Sequence, residues 1–443
     1  MIYSKPRQAR RPGPPGSGPG DFYRRRRARR RPALAASMPG GPALEQAVHP
    51  EALIAAYDYA AAHGGPAPGP DRLTYAALGR GEACAIFRDL APVILAGEYR
   101  PAAGRALKIA KRYGGTRTLT IVSIIDRVVA AAVARALTPL FEAIFLPCSY
   151  GFRPGRGTWD LLADLMAAVA AERITTLAID DVKRAFDTVP IAPLLEKFKE
   201  HLHDESLLQL TEVILRGGED RDRNVGIVQG SPLSPTALNL LLHHVHDRPL
   251  EGDPDFPPLF RFADNVCYLA GSAPEGRRAL DHARQLLAHA GLALKGQDGP
   301  PIDLREGGNA SLLGFRLSLH EDRMRLDLGE DTLKTDMARC LIAAHDDPDP
   351  HRAARTALRG WAAAYGPALG DLTESDTETI LDTAARHGFR ELASREELAG
   401  WCTAAHTRWT IRHTAALTRR GLTGEGLGFV AAPPATVEPD GLT

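Results

Sequence analysis

The sequence has few cysteines, no long apolar run and no net charge, and each of these absences excludes a class of protein. Its five cysteines are scattered through 443 residues without a CxxC pair, which argues against a zinc site or a disulfide framework. No apolar run approaches the ~18 residues of a membrane span. No apolar segment follows the basic N-terminus, as it would in a signal peptide. We therefore expect a cytoplasmic protein that does not bind a membrane.

The zero formal net charge hides a difference between the N-terminus and the rest of the chain. Residues 1–43 contain eleven basic residues and one acidic residue, so the remainder carries a net charge of −10. Gly, Pro and Arg dominate residues 1–43, which predicts a disordered basic tail. A negative net charge over residues 44–443 is unusual for a protein that binds nucleic acid, because phosphate binding ordinarily requires a basic surface. Such binding would need locally clustered cations or a contribution from the tail.

A carboxylate at the end of an apolar run is the most informative feature of the sequence. The run 177–179 is followed by Asp180 and Asp181, which predicts a buried strand that ends in aspartate. A carboxylate in such a place is costly unless it is paired, hydrogen-bonded or holding a metal. Two later stretches favour the metal. Residues 226–235 predict a rigid loop that leads into an apolar helix, and residues 259–269 predict a hairpin with a carboxylate at its tip.

In this order and spacing the three stretches resemble the palm motifs of reverse transcriptases. Residues 149–156 (SYGFRPGR) narrow the resemblance to the bacterial branch, typified by group II intron-encoded enzymes. The resemblance covers residues 70–317 and implies an α+β, right-hand polymerase fold with fingers, a ferredoxin-like antiparallel palm and an α-helical thumb. The implied domains are a basic tail (1–43), an N-terminal extension and fingers (44–175), a palm (176–329), a thumb (330–421) and a C-terminal tail (422–443).

The resemblance also implies a set of metal ligands. Nucleotide addition is an in-line phosphoryl transfer, in which two divalent ions ~4 Å apart activate the primer hydroxyl and hold the leaving pyrophosphate. Only one of Asp180 and Asp181 can face the hairpin tip, because side chains alternate along a strand. The family pattern selects Asp181, with Val182 as a further ligand, and places Asp264 and Asn265 at the tip. We expect Mg²⁺ as the cofactor, with Mn²⁺ as the alternative.

Asn265 departs from the family pattern, since the box reads FADN where YADD is usual. Asparagine keeps a carbonyl oxygen that can bind a metal but removes one negative charge, so metal affinity or metal choice should change. A similar box, Gly-Asp-Asn, occurs in some viral RNA polymerases.

Two functions stay open. One is an RNA-directed DNA polymerase, free-standing in antiviral defence or domesticated from an intron; the other is a weak or inactive RNA-binding protein, maturase-like or a scaffold.

The resemblance assigns further residues to the incoming dNTP. Lys111 and Arg117 flank a predicted glycine turn and match the cations that hold the triphosphate; an exposed basic turn is the alternative. Phe186 matches an aromatic gate that blocks the ribose 2′-hydroxyl, with a core phenylalanine as the alternative. Gln229 and Gly230 belong to the loop that packs under the nascent base pair, where glycine permits close backbone approach.

The remaining assignments concern an RNA template and a DNA or RNA primer, which are the expected partners. Arg153 and Arg156 lie in a predicted loop and would contact template phosphate, or Arg153 would be a buried ion-pair partner. Pro232 and Ser234 belong to the rigid loop and are expected to contact nucleic acid. Residues 292–295 predict a short strand with no assigned role. The sequence does not predict an oligomeric state.

Overall fold

The computed structural model of the protein describes residues 42–422, apart from 66, 111–115, 219, 221, 252, 254, 297–298, 330–331 and 371. The tails predicted at residues 1–43 and 422–443 therefore lie almost entirely outside the described residues. The described chain divides into two compact units. The first contains residues 42–107, 118–141 and 191–234, and the second contains residues 108–117, 142–190 and 235–422.

Helices and short strands both occur along the chain, so the fold mixes helix and sheet. The helices are α1 (Leu44–Ala47), α2 (Pro50–His63), α3 (Arg80–Leu95), α4 (Ile124–Glu142), α5 (Thr158–Glu172), α6 (Ala185–Thr188), α7 (Ile191–Lys199), α8 (Glu205–Arg216), α9 (Ser234–Leu242), α10 (Arg248–Glu251), α11 (Ala273–His289), α12 (Ala338–Ala344), α13 (Pro350–Ala364), α14 (Glu374–Arg386) and α15 (Arg395–Arg419). The strands are β1 (Arg105–Ala110), β2 (Thr116–Ile121), β3 (Thr176–Asp181), β4 (Leu259–Phe262), β5 (Asn265–Ala270), β6 (Ile302–Asp303), β7 (Ala310–Leu312), β8 (Phe315–His320) and β9 (Arg323–Leu328).

In the first unit, a buried aspartate organises the start of helix α4. The carboxylate of Asp126 accepts hydrogen bonds from the Tyr99 hydroxyl at 2.7 Å, the Ala102 backbone N–H at 2.9 Å and the Ser123 hydroxyl at 2.7 Å. A buried carboxylate requires such donors to offset its loss of hydration. The chain that leads into β1 is thereby tied to the first turn of α4.

The second unit is built on an antiparallel sheet with the strand order β4-β5-β3-β6. Strand β3 pairs with β5 along its whole length, and the register sets Thr176 opposite Ala270 and Asp181 opposite Asn265. Apolar residues of α5 and of the strands share one core, which includes Leu161, Leu165, Leu177, Phe260, Cys267 and Leu269. The sheet is therefore anchored on its buried face, and the polar residues Asp181 and Asn265 meet where β3 ends and β5 begins.

Helix α15, the last helix of the described residues, belongs to this same core. Trp409 packs edge-to-face against Trp159 of α5 with 6.4 Å between ring centroids, and Arg412 pairs with Asp160 at 3.0 Å. Exposed ion pairs contribute little, so burial of the aromatic surface contributes most of the stabilisation. The end of segment 330–421, for which the sequence predicts a thumb, thus lies in the same compact unit as the sheet.

A second sheet in this unit is the meander β7-β8-β9. Its strands pair antiparallel, with Leu312 opposite Phe315 and Leu317 opposite Leu326. Within residues 42–422, outside the gaps given above, no helix is both long enough and apolar enough to cross a lipid bilayer.

Candidate active site

Strand β3 and the β4–β5 hairpin bring the predicted metal ligands together. Asp181, the last residue of β3, lies directly opposite Asn265, the first residue of β5. The backbone N–H of Val182 donates to the carbonyl oxygen of Asp264 at 2.9 Å, which ties the strand end to the hairpin tip. Ala263, in the turn, has a φ of 55° and so bends the chain sharply before Asp264. The four predicted ligands therefore occupy one small region.

The neighbouring aspartate has a different environment. Asp180 is buried, and its carboxylate accepts hydrogen bonds from the backbone N–H groups of Asp181 at 2.8 Å and Gly296 at 3.2 Å. Its oxygens thus hold the backbone of a neighbouring segment. The alternation of side chains along β3 places Asp181 on the other face.

Sequence reasoning missed Lys295, which forms an ion pair with the carboxylate of Asp181. Its backbone N–H also donates to the carbonyl oxygen of Asp181 at 2.8 Å, and Leu294 forms an antiparallel bridge with Val182. The predicted strand 292–295 therefore exists only as a short pairing with the end of β3. The apolar run within residues 292–295 was the only indication of this segment in the sequence. The ion pair itself could not be predicted, because Lys295 and Asp181 lie 114 positions apart.

The donor set suits a hard divalent cation. Asp181 and Asp264 provide carboxylate oxygens, while Val182 and Asn265 provide a backbone and an amide carbonyl. Mg²⁺ prefers oxygen ligands and needs few carboxylates because it keeps several waters. Cysteine and histidine do not belong to this set, so the softer metals are less well matched. The residues present therefore fit the expected metal, although with one carboxylate fewer than the family pattern.

Arg261 of β4 holds the hairpin from inside the protein. Its fully buried guanidinium donates to the Ala263 carbonyl at 3.0 Å, to Asn239 Oδ1 at 2.8 Å and to the Ser149 hydroxyl at 2.9 Å. The remaining donors reach the buried carboxylate of Asp247, at 2.8 and 2.5 Å. Arg261 therefore ties the residue before Asp264 to helix α9, the π-helical turn His243–Asp247 and the loop that precedes α5.

That loop approaches the hairpin turn very closely. Asn239 donates to the carbonyl oxygen of Gly151 at 2.7 Å, and the N–H of Tyr150 donates to the carbonyl of Arg261 at 2.8 Å. A Cβ atom on Gly151 would lie 2.4 Å from the backbone nitrogen of Ala263, so only glycine fits there. The motif at residues 149–156 thus supports the hairpin through its backbone.

The two arginines of this motif have different surroundings in the structure. Arg153 is buried and forms an ion pair with Glu142 at 2.9 Å, and it donates to the carbonyl oxygens of Leu146 and Ser149. The ion-pair alternative therefore replaces the predicted phosphate contact for Arg153. Arg156 is half-buried, lies 5.5 Å from the Tyr150 ring centroid and donates to a loop carbonyl. Its contact with nucleic acid stays a prediction.

Three of the residues predicted to bind the dNTP are Phe186, Lys111 and Arg117. Phe186 is half-buried in the short helix α6, five residues after Asp181. Lys111 lies outside the described residues. Arg117 belongs to strand β2, but its side chain lies outside the described part of the protein. The proposed roles of all three stay predictions.

Residues 226–234 of the rigid loop lie in the first unit. The carbonyl oxygen of Gln229 accepts a hydrogen bond from the Thr120 N–H at 3.0 Å, and Gly230 has a φ of 106°. A Cβ atom on Gly230 would lie 2.6 Å from the Thr120 carbonyl oxygen, so only glycine fits this close to strand β2. The contacts of Gln229 and Gly230 with the dNTP stay predictions.

Two other residues of the loop differ from each other in exposure. Ser234 is buried, and its hydroxyl donates to the Val228 carbonyl at 2.6 Å. This bond stabilises the turn into α9, and the nucleic-acid contact of Ser234 stays a prediction. Pro232 is half-buried and keeps its predicted role.

Residues 109–297 match the model of the family described as reverse transcriptase (RNA-dependent DNA polymerase). The chain is 30% identical over 179 residues to Protein YkfC of Escherichia coli (strain K12), a match covering 38% of this chain and 46% of that protein. It is 28% identical over 155 residues to the group II intron-encoded protein LtrA of Lactococcus lactis subsp. cremoris, covering 34% of this chain and 26% of that protein. The chain thus matches less than half of the length of either relative.

A solved structure of telomerase from Candida albicans, in complex with a fragment of telomeric RNA, also matches. Its sequence identity with this chain is 10% and its TM-score is 0.41. The match covers 73% of this chain and 62% of that chain.

Proposed function

We propose that the protein is an RNA-directed DNA polymerase, which extends a DNA or RNA primer with dNTPs on an RNA template, because residues 109–297 match the reverse transcriptase family model. The observation that supports this most is the meeting of Asp181 with Asp264 and Asn265 at the ends of β3 and β5. In this proposal the β3–β6 sheet is the palm of a right-hand polymerase, residues 44–175 are an N-terminal extension with fingers, and residues 330–421 are the thumb.

The chemistry asks four things of the protein's own residues. Asp181 and Asp264 would hold two divalent ions, with the Val182 carbonyl and Asn265 as weaker ligands. When bound, these ions would polarise the primer hydroxyl and stabilise the charge on the leaving pyrophosphate. Phe186 would exclude nucleotides that carry a 2′-hydroxyl. Lys111, Arg117, Gln229 and Gly230 would bind the dNTP, while Arg156 and Pro232 would contact the template–primer duplex.

A second function is favoured by one specific feature of the site. Asn265 lacks a carboxylate, and Lys295 pairs with one of the two that remain, so the site carries little negative charge. A weak or inactive enzyme that binds RNA as a maturase-like protein or a scaffold would tolerate this loss. Both functions are compatible with a free-standing protein of antiviral defence or a domesticated intron protein.

Primer extension with purified protein distinguishes the two functions. We expect dNTP incorporation on a primed RNA template that requires Mg²⁺ or Mn²⁺ and disappears in Asp181→Ala and Asp264→Ala. Asp187→Ala is a matched control, because Asp187 is an exposed aspartate near β3 whose carboxylate pairs with Arg184 at 3.1 Å. Equal activity of Asp264→Ala and the wild type would refute the assigned site. RNA binding without incorporation under either metal would support the second function.

A further inference from the structure

We propose that Lys295 determines the metal affinity of the active site, because its ammonium group competes with the divalent ion for the Asp181 carboxylate. This inference rests on the proposed function, since it concerns the same site. The observation that carries it is the ion pair between Lys295 Nζ and Asp181 Oδ2. Lys295 therefore pairs with a predicted metal ligand.

The backbone around Lys295 is fixed, whereas its side chain can move. The N–H of Lys295 donates to the Asp181 carbonyl at 2.8 Å, and the N–H of Lys183 donates to the Ala293 carbonyl at 2.7 Å. These bonds anchor the segment beside β3. The side chain of Lys295 is 40% exposed, compared with 16% for Asp181, so the ammonium group can leave the carboxylate for water.

Charge explains why the ion pair should matter for metal binding. The family pattern has one carboxylate more, but here Asn265 is neutral, so Asp181 and Asp264 are the two predicted ligands that carry a negative charge. Lys295 offsets half of that charge. A divalent ion bound to Asp181 would have to displace the ammonium group or lie beside it, and both are unfavourable.

A divalent ion can displace a lysine from a carboxylate more easily than it can displace an arginine. An ammonium group is a compact, strongly hydrated charge on a flexible stem, whereas a guanidinium binds a carboxylate through a planar fork. A partly exposed ion pair contributes little to stability, so a divalent ion can displace Lys295. We therefore expect Lys295 to raise the metal concentration that half-fills the site without blocking it.

The test measures metal binding directly, on the full chain without nucleic acid. Free Mn²⁺ is followed by electron paramagnetic resonance during titration of the wild type, Lys295→Met and Lys295→Arg. Arg278→Met is the charge-matched control, because Arg278 is exposed on helix α11. We expect Lys295→Met to bind Mn²⁺ about tenfold more tightly than the wild type, since one opposing charge is removed at short range. Lys295→Arg should bind Mn²⁺ severalfold more weakly than the wild type, because a guanidinium holds the Asp181 carboxylate through its planar fork. Arg278→Met should stay within about twofold of the wild type.

A second measurement follows Lys295 itself. The rate at which an amine-specific acylating reagent modifies Lys295 is measured by mass spectrometry, with and without Mn²⁺. Modification should become severalfold faster when the metal displaces the ammonium group from Asp181, because a lysine released from its ion pair is more accessible to the reagent. Lys183, which is exposed, provides the internal reference rate.

The possible outcomes separate this inference from the proposed function. If Mn²⁺ binding disappears in Asp181→Asn but is unchanged in Lys295→Met, the site is correct and the competition is refuted. If Mn²⁺ binding is unaffected by Asp181→Asn, the metal site itself is wrong, and both proposals fail. Weaker binding by Lys295→Met in a variant with the circular dichroism and melting temperature of the wild type would also refute the competition.

Discussion

Arg261 and Asp247 form an ion pair that is completely buried, with 2.8 Å between Nε and Oδ1 and 2.5 Å between Nη2 and Oδ2. Burial alone would raise the pKa of Asp247, but the charge of Arg261 and hydrogen bonds from His246 and Arg261 hold this pKa well below its ordinary value. His246 also bonds the buried Tyr268 hydroxyl at 2.7 Å. The pair is therefore part of a satisfied polar network directly beneath the hairpin that carries Asp264.

We predict that Arg261→Met destabilises the protein by about 3–5 kcal/mol, because it leaves the buried charge of Asp247 without a partner. The free energy of unfolding in urea measures this loss. The double variant Arg261→Met/Asp247→Leu should recover most of the stability, since no unpaired charge remains. If Arg261 positions the hairpin, the double variant should still bind Mn²⁺ severalfold more weakly than the wild type. Wild-type metal affinity in a stable double variant would limit Arg261 to a structural role.

The sequence predicted the parts of this site that depend on local pattern. The apolar run before Asp181 and the two half-strands around Asp264 each specify a strand through neighbouring residues, and all three strands were found. Arg261 was not identified, because an arginine inside a half-strand ordinarily faces solvent. Its burial depends on Asp247, which a π-helical turn brings to it from another element.

The position of Lys295 beside Asp181 was not predicted, for a related reason. The run before it predicts a strand, but which strand it pairs with depends on how the chain returns after helix α11. A single sequence gives no information on that pairing.

For Arg153 the sequence did offer the correct alternative. It left a phosphate contact and a buried ion pair open, and only the position of Glu142 in the fold selects the ion pair.

Our next prediction concerns metal choice. Because Asn265 offers an amide oxygen in place of a carboxylate, Mg²⁺ should bind weakly, and Mn²⁺ should support more incorporation than Mg²⁺. Asn265→Asp should lower the Mg²⁺ concentration needed for half-maximal incorporation by about tenfold, or leave activity unchanged at saturating metal. Titrations of primer extension with each metal measure both effects. A large loss of activity in Asn265→Asp would mean that the amide has a positive role.

Stability should also depend on pH through a buried histidine. Burial lowers the pKa of His413, on helix α15, to about 4, while an unfolded histidine has a pKa of about 6.5. Above pH ~6.5 both states are neutral, so His413 has no effect on the pH dependence. Between about pH 6.5 and 4 the unfolded state takes up a proton that the folded state does not, so stability falls as the pH is lowered.

Replacing His413 with leucine should reduce this dependence. We expect the unfolding free energy of His413→Leu to fall less steeply than that of the wild type between pH 6.5 and 4.5, as measured by urea denaturation. His320→Leu is the control, because His320 is exposed at the end of strand β8. Identical slopes for the wild type and His413→Leu would show that His413 does not take part in this pH dependence.

The last prediction concerns sugar selection by Phe186. If its ring lies against C2′ of the incoming nucleotide, there is no room for a hydroxyl, and discrimination should depend on the bulk of the side chain. Phe186→Val and Phe186→Ala should then admit rNTPs, while incorporation of dNTPs falls less. Overpacking penalties of ~1–3 kcal/mol correspond to roughly ten- to hundredfold selectivity, at ~1.4 kcal/mol per factor of ten.

The alternative is that Phe186 is a core residue of helix α6, and its half-burial is compatible with both roles. In that case truncation would lower stability and slow both nucleotide classes equally. Single-nucleotide incorporation of dGTP and GTP by the wild type and Phe186→Val distinguishes the roles, with the urea unfolding curve of each protein as the control for folding. An unchanged ratio of dGTP to GTP use in a folded variant would refute the gate. It would also remove the main reason to propose a DNA polymerase in place of an RNA polymerase, because no other described residue of the site has been assigned to sugar selection.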